Sequence, residues 1–351
     1  MMLSFESDYI QGCHEKILQA LAETNYEKEP GYGADRYSLS AAERIRGACD
    51  CPEAEVYFIS GGTQTNQLTV DTMLDSHEGV LAAKTGHIAC HEAGAIEFTG
   101  HKVLELPQKD GKLNTADLEN YMETFLADGS RDHLVFPGMV YLSQPTEYGT
   151  LYSEKELRQI RKLCDRYELK LYIDGARMGY GLASPCNDVT LPILAELCDA
   201  FYIGGTKVGA LCGEALVFPR KSPKQFITKV KQHGAMLAKG RLIGIQFDTL
   251  FQDDLYFTIS RHAMTMATEI RDAFEEMGYS FHMPLISNQI FVILTEKQRK
   301  TLSRYLRYSF WERLDEDRCV VRLAASWATT EEDIAELRQL LQKCKEEMES
   351  C

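Results

Sequence analysis

No apolar run in this 351-residue chain approaches the ~20 residues that a membrane-spanning helix needs, and mean hydropathy is −0.27. The first ten residues hold Glu6 and Asp8 and no basic stretch, so no export signal is expected there. Proline is sparse, at 10 residues, and no Pro/Gly/Ser linker, low-complexity block or internal repeat breaks the chain. Positive charge is in deficit: 38 Lys+Arg against 52 Asp+Glu, a formal charge of −14. A diffuse acidic surface repels nucleic acid and anionic membranes, so neither is an expected partner. Cysteine is not scarce, but its count of 11 is odd and its positions are scattered. Such cysteines read as free thiols in a reducing cytoplasm. The tight pair Cys49 and Cys51 has no second pair at metal-site spacing, so no metal is expected.

What is present is an alternation. Short apolar runs at 56–60 (VYFIS), 79–83, 102–106, 139–142, 169–173 and 200–203 read as strands. Helical patterns at 63–74, 92–98, 114–126, 153–167 and 191–197 lie between them, and Ser153 with Glu156 forms a capping box. This order predicts an α/β domain with a mostly parallel sheet. From about residue 240 the texture changes: one long helix over 241–277, strands at 289–294 and 318–323, and a terminal helix over 330–348. We therefore expect an N-terminal segment (1–30), a large α/β domain (31–240) and a smaller α+β domain (241–351).

Four segments carry chemistry. In FYIGGTKVGALCGE (201–214) an apolar strand ends in Gly204-Gly205-Thr206, then Lys207. The small residues let a flat ligand approach the backbone, and a desolvated lysine has a lowered pKa and can form a Schiff base. In LKLYIDGAR (169–177) a buried strand ends at Asp174, followed by Arg177. Ligands of open α/β sheets bind at such strand ends, and a carboxylate there can pair with a pyridinium nitrogen. In ISGGTQTNQ (59–67) a strand turns through Gly61-Gly62 into a helix near Thr63, and helix N-termini bind phosphate. In KTGHIACHEAGA (84–95) His87 follows a strand at the same sheet edge and could lie on an aromatic cofactor. The rival His91 is read as starting a helix, a surface or capping position.

In this order the four segments resemble the low-specificity threonine aldolase family, whose members are pyridoxal 5′-phosphate enzymes of aminotransferase-like fold type I. The likeness runs over nearly the whole chain and implies a seven-stranded, mostly parallel sheet. By that resemblance Lys207 would bind the cofactor covalently. Gly62, Thr63 and Thr206 would lie at the cofactor, His87 would stack on its ring and Asp174 would pair with the ring nitrogen. Arg177 would sit near the ring and the substrate carboxylate, which Arg322 (in VVRLAAS) and Ser7 would hold; an arginine fork suits a carboxylate. The segment GYGAD (31–35) is similar to a loop that reaches a neighbouring subunit's site, which implies a homodimer or homotetramer with shared active sites.

The chain departs from the family pattern twice. Typical members carry Glu-Asn-Thr-His-Asn where Ser143-Gln144-Pro145-Thr146-Glu147 stands here, so the second active-site histidine is a threonine. A Gly-Gly-Gly-Met-Arg run appears as His233-Gly234-Ala235-Met236-Leu237, with Lys239 or Arg241 as substitutes for its arginine.

The implied reaction is cleavage of L-threonine or L-allo-threonine to glycine and an aldehyde. Arg322, Arg177 and Ser7 would fix the carboxylate and thereby the bond that breaks. His87, directly or through water, would take the β-hydroxyl proton. The alternatives are β-elimination or transamination on the same cofactor, and a scaffold without catalysis, against which the retained Lys207 and Asp174 argue.

Overall fold

The computed structural model describes residues 2–349. Thirteen strands form in chain order: β1 (Leu3–Ser4), β2 (Glu55–Ile59), β3 (Glu78–Ala83), β4 (Val103–Leu106), β5 (Phe136–Ser143), β6 (Lys170–Asp174), β7 (Ala200–Gly204), β8 (Glu214–Phe218), β9 (Ser280–Phe281), β10 (Gln289–Thr295), β11 (Leu306–Arg307), β12 (Ser309–Arg313) and β13 (Arg318–Ala324). Seven of them make one sheet in the order β2-β8-β7-β6-β5-β3-β4. Pairing is parallel from β7 through β4, and β8 runs antiparallel to both β2 and β7. The mostly parallel seven-stranded sheet of the sequence reading is thus present.

Its strands are apolar on both sides because helices cover both faces. Val80, Met139, Tyr141, Tyr172 and Tyr202 point into one core, Leu81, Val140, Leu171, Phe201 and Ile203 into the other, with the period of two that a strand imposes. Register brings the functional ends together: Ser143 pairs with Asp174 across β5 and β6, and Gly204 with Glu214 across β7 and β8.

A second sheet, ordered β12-β13-β10-β9, is antiparallel. It packs on the helix Leu255–Glu276, whose first half (Tyr256, Ile259, Ala263) belongs to the core of the large sheet and whose second half (Ile270, Ala273, Phe274) belongs to the core of the small one. The N-terminus lies beside the small sheet: β1 pairs with β11 in a separate two-stranded sheet, and the Ala324 amide of β13 donates to the Phe5 carbonyl at 2.9 Å. The next residues, Ser7–Tyr9, are thereby carried toward the C-terminal edge of the large sheet.

The expected long helix over 241–277 is two helices, Arg241–Leu250 and Leu255–Glu276. Asp253 and Asp254 break it with φ of 51° and 59°, a left-handed conformation that aspartate tolerates better than most side chains. The short helix expected over 92–98 is confined to Ala95–Phe98, and a separate turn forms before it at His87–Cys90. His87 therefore begins a turn, and His91 follows it instead of starting a helix. The helices Glu15–Glu23 and Arg36–Ala48 and the strand β8 were not foreseen. The run EALVF of β8 follows Gly213 directly and carries no turn signal of its own. Among the described residues no helix is long and apolar enough to cross a membrane.

Candidate active site

The carboxyl ends of β5, β6 and β7 open onto a cavity of about 320 Å³ lined by Gly62, Thr63, His87, Asp174, Arg177, Thr206 and Lys207, among others. Of the site residues expected from the sequence, these seven are brought together.

Asp174 ends β6 and is buried, and its carboxylate accepts four hydrogen bonds. Oδ2 takes Tyr141 Oη (2.6 Å) and Asn66 Nδ2 (2.9 Å); Oδ1 takes Tyr202 Oη (2.5 Å) and the Ala176 amide (3.0 Å). Burial alone would raise its pKa, but His87 and these donors outweigh it, and the net direction is down. The group is held as an anion at the cavity floor. Asn66 also donates to Glu92 Oε1 (2.7 Å), which meets His87 Nδ1 at 2.8 Å. Glu92 thereby orients the imidazole and leaves Nε2 for the cleft.

Lys207 follows β7 in a turn of small residues. Burial, with the Arg177 charge nearby, pulls its amine down to about 8. Below it Glu214, at the start of β8, accepts from Thr206 Oγ1 (2.7 Å) and the Gly205 amide (2.9 Å). Burial pushes Glu214 up to about 7. Thr206 thus ties down Glu214 as well as lining the cavity. Glycine is required here: a Cβ on Gly175 would lie 2.0 Å from the Tyr202 carbonyl oxygen, and one on Gly205 2.7 Å from the Gly213 oxygen. The helix Gly62–Met73 opens at the cavity with no side chain capping its first amides, which leaves N–H groups for an anion.

A second cavity of about 530 Å³ adjoins the first and is lined by Arg322, Trp311, His91, Tyr148, Cys90 and Glu312 with others. Arg322 stands on β13 with its guanidinium over the Trp311 ring, 5.4 Å from the centroid. Its contacts are long: Gln289 Oε1 at 3.3 Å, Ser309 Oγ at 3.4 Å and the Glu6 carbonyl at 3.5 Å. Its buried Nε has no partner. Burial and the neighbouring Arg177 pull Arg322 down to about 10. No carboxylate among the described residues pairs with it. Ser7 is buried with an unpartnered Oγ and lines neither cavity. Arg241 donates to the Thr24 and Glu27 carbonyls (2.7 and 3.0 Å). Neither it nor Lys239 lines either cavity.

Sequence reasoning missed Asp8, which clamps Arg177, and Glu92, Tyr141, Tyr202, Glu147 and Glu214. Glu92, Tyr202 and Glu214 stood inside segments already singled out, and Asp8 stood next to Ser7. The tyrosines gave no signal beyond strand propensity.

Residues 4–346 match the family model of beta-eliminating lyases. The low specificity L-threonine aldolase of Pseudomonas aeruginosa is 31% identical over 339 residues, 95% of each chain. The solved structure of Leishmania major threonine aldolase superposes with a TM-score of 0.93 at 40% identity, covering 97% of this chain and 99% of that one. The aromatic aminotransferase of Pyrococcus horikoshii shares the fold at a TM-score of 0.69 and 17% identity, covering 99% of this chain and 96% of its own.

Proposed function

This chain belongs to the beta-eliminating lyase family and, within it, to the low-specificity threonine aldolases, and from that premise we propose that it cleaves L-threonine or L-allo-threonine to glycine and acetaldehyde. The observation that carries this reading is a buried lysine, lowered to about 8, facing a buried guanidinium that no side-chain carboxylate pairs, across two adjoining cavities.

The enzyme is a pyridoxal 5′-phosphate-dependent lyase, and the residues fit that cofactor. Lys207 offers an amine that is largely neutral above pH 8, Asp174 a fixed anion for the ring nitrogen, and the uncapped helix at Gly62 and Thr63 a seat for the phosphate. When bound, the cofactor supplies an electron sink for negative charge at the substrate's Cα. The protein does the rest. Arg322, with Arg177, binds the substrate carboxylate and so selects which bond at Cα is aligned to break. His87, anchored by Glu92, would lie against the cofactor ring, and the sequence reading gives it the hydroxyl proton. Asp174 stays charged because four donors hold it so.

The active protein is a homo-oligomer in this reading. The loop around Tyr32 and Gly33 (φ 61° and 80°) and the exposed Leu39 and Ile227 border an apolar groove that a second copy would cover. A cytoplasmic setting agrees with the ten described cysteines, all free.

The deciding experiment loads the purified protein with pyridoxal phosphate and adds L-threonine and L-allo-threonine separately. Acetaldehyde and glycine in equal amounts are expected. Pyruvate and ammonia from serine in their place would move the assignment to β-elimination.

A further inference from the structure

Five residues, Tyr9, His87, Glu147, Arg177 and Lys207, line both cavities. They mark where a substrate with its amine toward Lys207 and its carboxylate toward Arg322 would hold Cα and Cβ. Glu147 is the one carboxylic acid among them. Its Oε1 accepts from Ser143 Oγ at 2.6 Å. Serine thus stands at position 143, and the acid four residues later turns back to hydrogen-bond with it.

Two other candidates are less well placed. Thr146, at the position of the family's histidine, is buried and shares its hydroxyl with Thr150 Oγ1 at 2.7 Å. His87, held through Nδ1 by Glu92, keeps Nε2 for the cleft, but a ring lying against the cofactor face would direct that nitrogen along the cofactor plane instead of toward Cβ. We propose that Glu147, rather than His87, takes the proton of the substrate's β-hydroxyl as the Cα–Cβ bond breaks. The inference rests on the aldolase reading. The carboxylate gains the hydroxyl proton, the C–O bond becomes the C=O of the departing aldehyde, and the electron pair of the broken bond stays with Cα. A proton added at Cα gives glycine, and Glu147 returns its own to solvent, so nothing is consumed.

The surroundings suit a base. Burial raises Glu147 above the ordinary carboxylate range, with Ser143 opposing and Asp174 adding to the rise. His87 and Cys90 face it from the turn after β3, Tyr141 and Asp174 from β5 and β6, Tyr152 from the loop beyond, and Lys207 across the cleft. A carboxylate of raised pKa is a stronger base near neutral pH.

The test compares cofactor-loaded wild type, Glu147→Gln, Glu147→Asp and Ser143→Ala. The first readout is acetaldehyde release. The second is exchange of glycine's α-hydrogen for deuterium, which uses the same lysine and carboxylate site but no β-hydroxyl. The third is visible absorbance with thermal unfolding, which reports loading and folding without turnover. Glu147→Gln is expected to lower cleavage relative to exchange by about a hundredfold or more, with absorbance and unfolding temperature near wild type. Glu147→Asp should recover part of the loss. Ser143→Ala should move the acid limb of the cleavage profile to higher pH, because the lost hydrogen bond had favoured the charged form. Cleavage and exchange falling in parallel in Glu147→Gln, or neither falling, would overturn the proposal. Should that variant not fold, an unmoved acid limb in Ser143→Ala would overturn it. Wild type that exchanges glycine's hydrogen yet releases no acetaldehyde from either isomer would instead sink the aldolase reading on which the inference stands.

Discussion

Asp8 and Arg177, 169 residues apart, form a buried two-point ion pair: Nε to Oδ2 at 2.7 Å and Nη2 to Oδ1 at 3.0 Å. Asn288 Nδ2 adds a third bond to Asp8 at 2.9 Å. The pair joins the N-terminal segment to the end of β6 and fixes one wall of both cavities.

Burial would raise the Asp8 carboxyl, but Arg177 and Lys207 outweigh it and bring it to about 2. A depressed carboxyl contributes stability that is present above its unfolded value of 3.8 and lost as pH falls toward 2. Asp8→Asn should destabilise the protein by about 3 kcal/mol at pH 7, since it leaves Arg177 buried without its counter-charge. It should flatten the stability loss below pH 4. Urea unfolding at pH 7 and pH 3 checks both.

Lys207 should capture the cofactor faster as pH rises through about 8, where its amine becomes neutral. The Glu214 charge raises that value, so Glu214→Gln should shift the midpoint of capture downward. The rate at which absorbance near the bound-cofactor band grows, followed against pH with cofactor-free protein, reads the shift directly. An unmoved midpoint would disconnect the two groups.

Arg322→Lys keeps the charge but loses the fork. We expect KM for threonine to rise about tenfold or more, with a smaller change in kcat. Steady-state kinetics separate the two, and an unchanged KM would remove Arg322 from the carboxylate.

Tyr202→Phe deletes the 2.5 Å donor to Asp174. Hydrogen bonds to charged groups contribute roughly 1.5–3 kcal/mol, so cofactor affinity should fall by about tenfold or more. Spectrophotometric titration with pyridoxal phosphate measures it.

Gly175→Ala would drive its methyl against the Tyr202 carbonyl oxygen at 2.0 Å and the Met178 side chain at 2.7 Å. Neither strand can retreat within a packed sheet, so a loss of about 3 kcal/mol is expected. Thermal unfolding of the cofactor-free variant provides the check, independent of catalysis.

Much of the fold was legible. Five-residue apolar runs separated by amphipathic stretches leave few arrangements other than a parallel sheet covered on both faces, and Lys207 and Asp174 were visible because a polar residue closes an apolar strand. The helix break at Asp253 and Asp254 and the strand β8 were not legible, because local pattern there is weak and tertiary packing decides.

The sequence by itself determined which residue types end which strands, and therefore that lysine, aspartate, histidine and a glycine turn would share one sheet edge. Only the tertiary structure decided what those groups touch. Asn66 reaches Asp174 across 108 residues, Asp8 meets Arg177 across 169, and Glu147 turns back onto Ser143. Periodicity constrains which face a side chain points to, whereas charge state depends on burial and on neighbours that the chain brings together only when it folds.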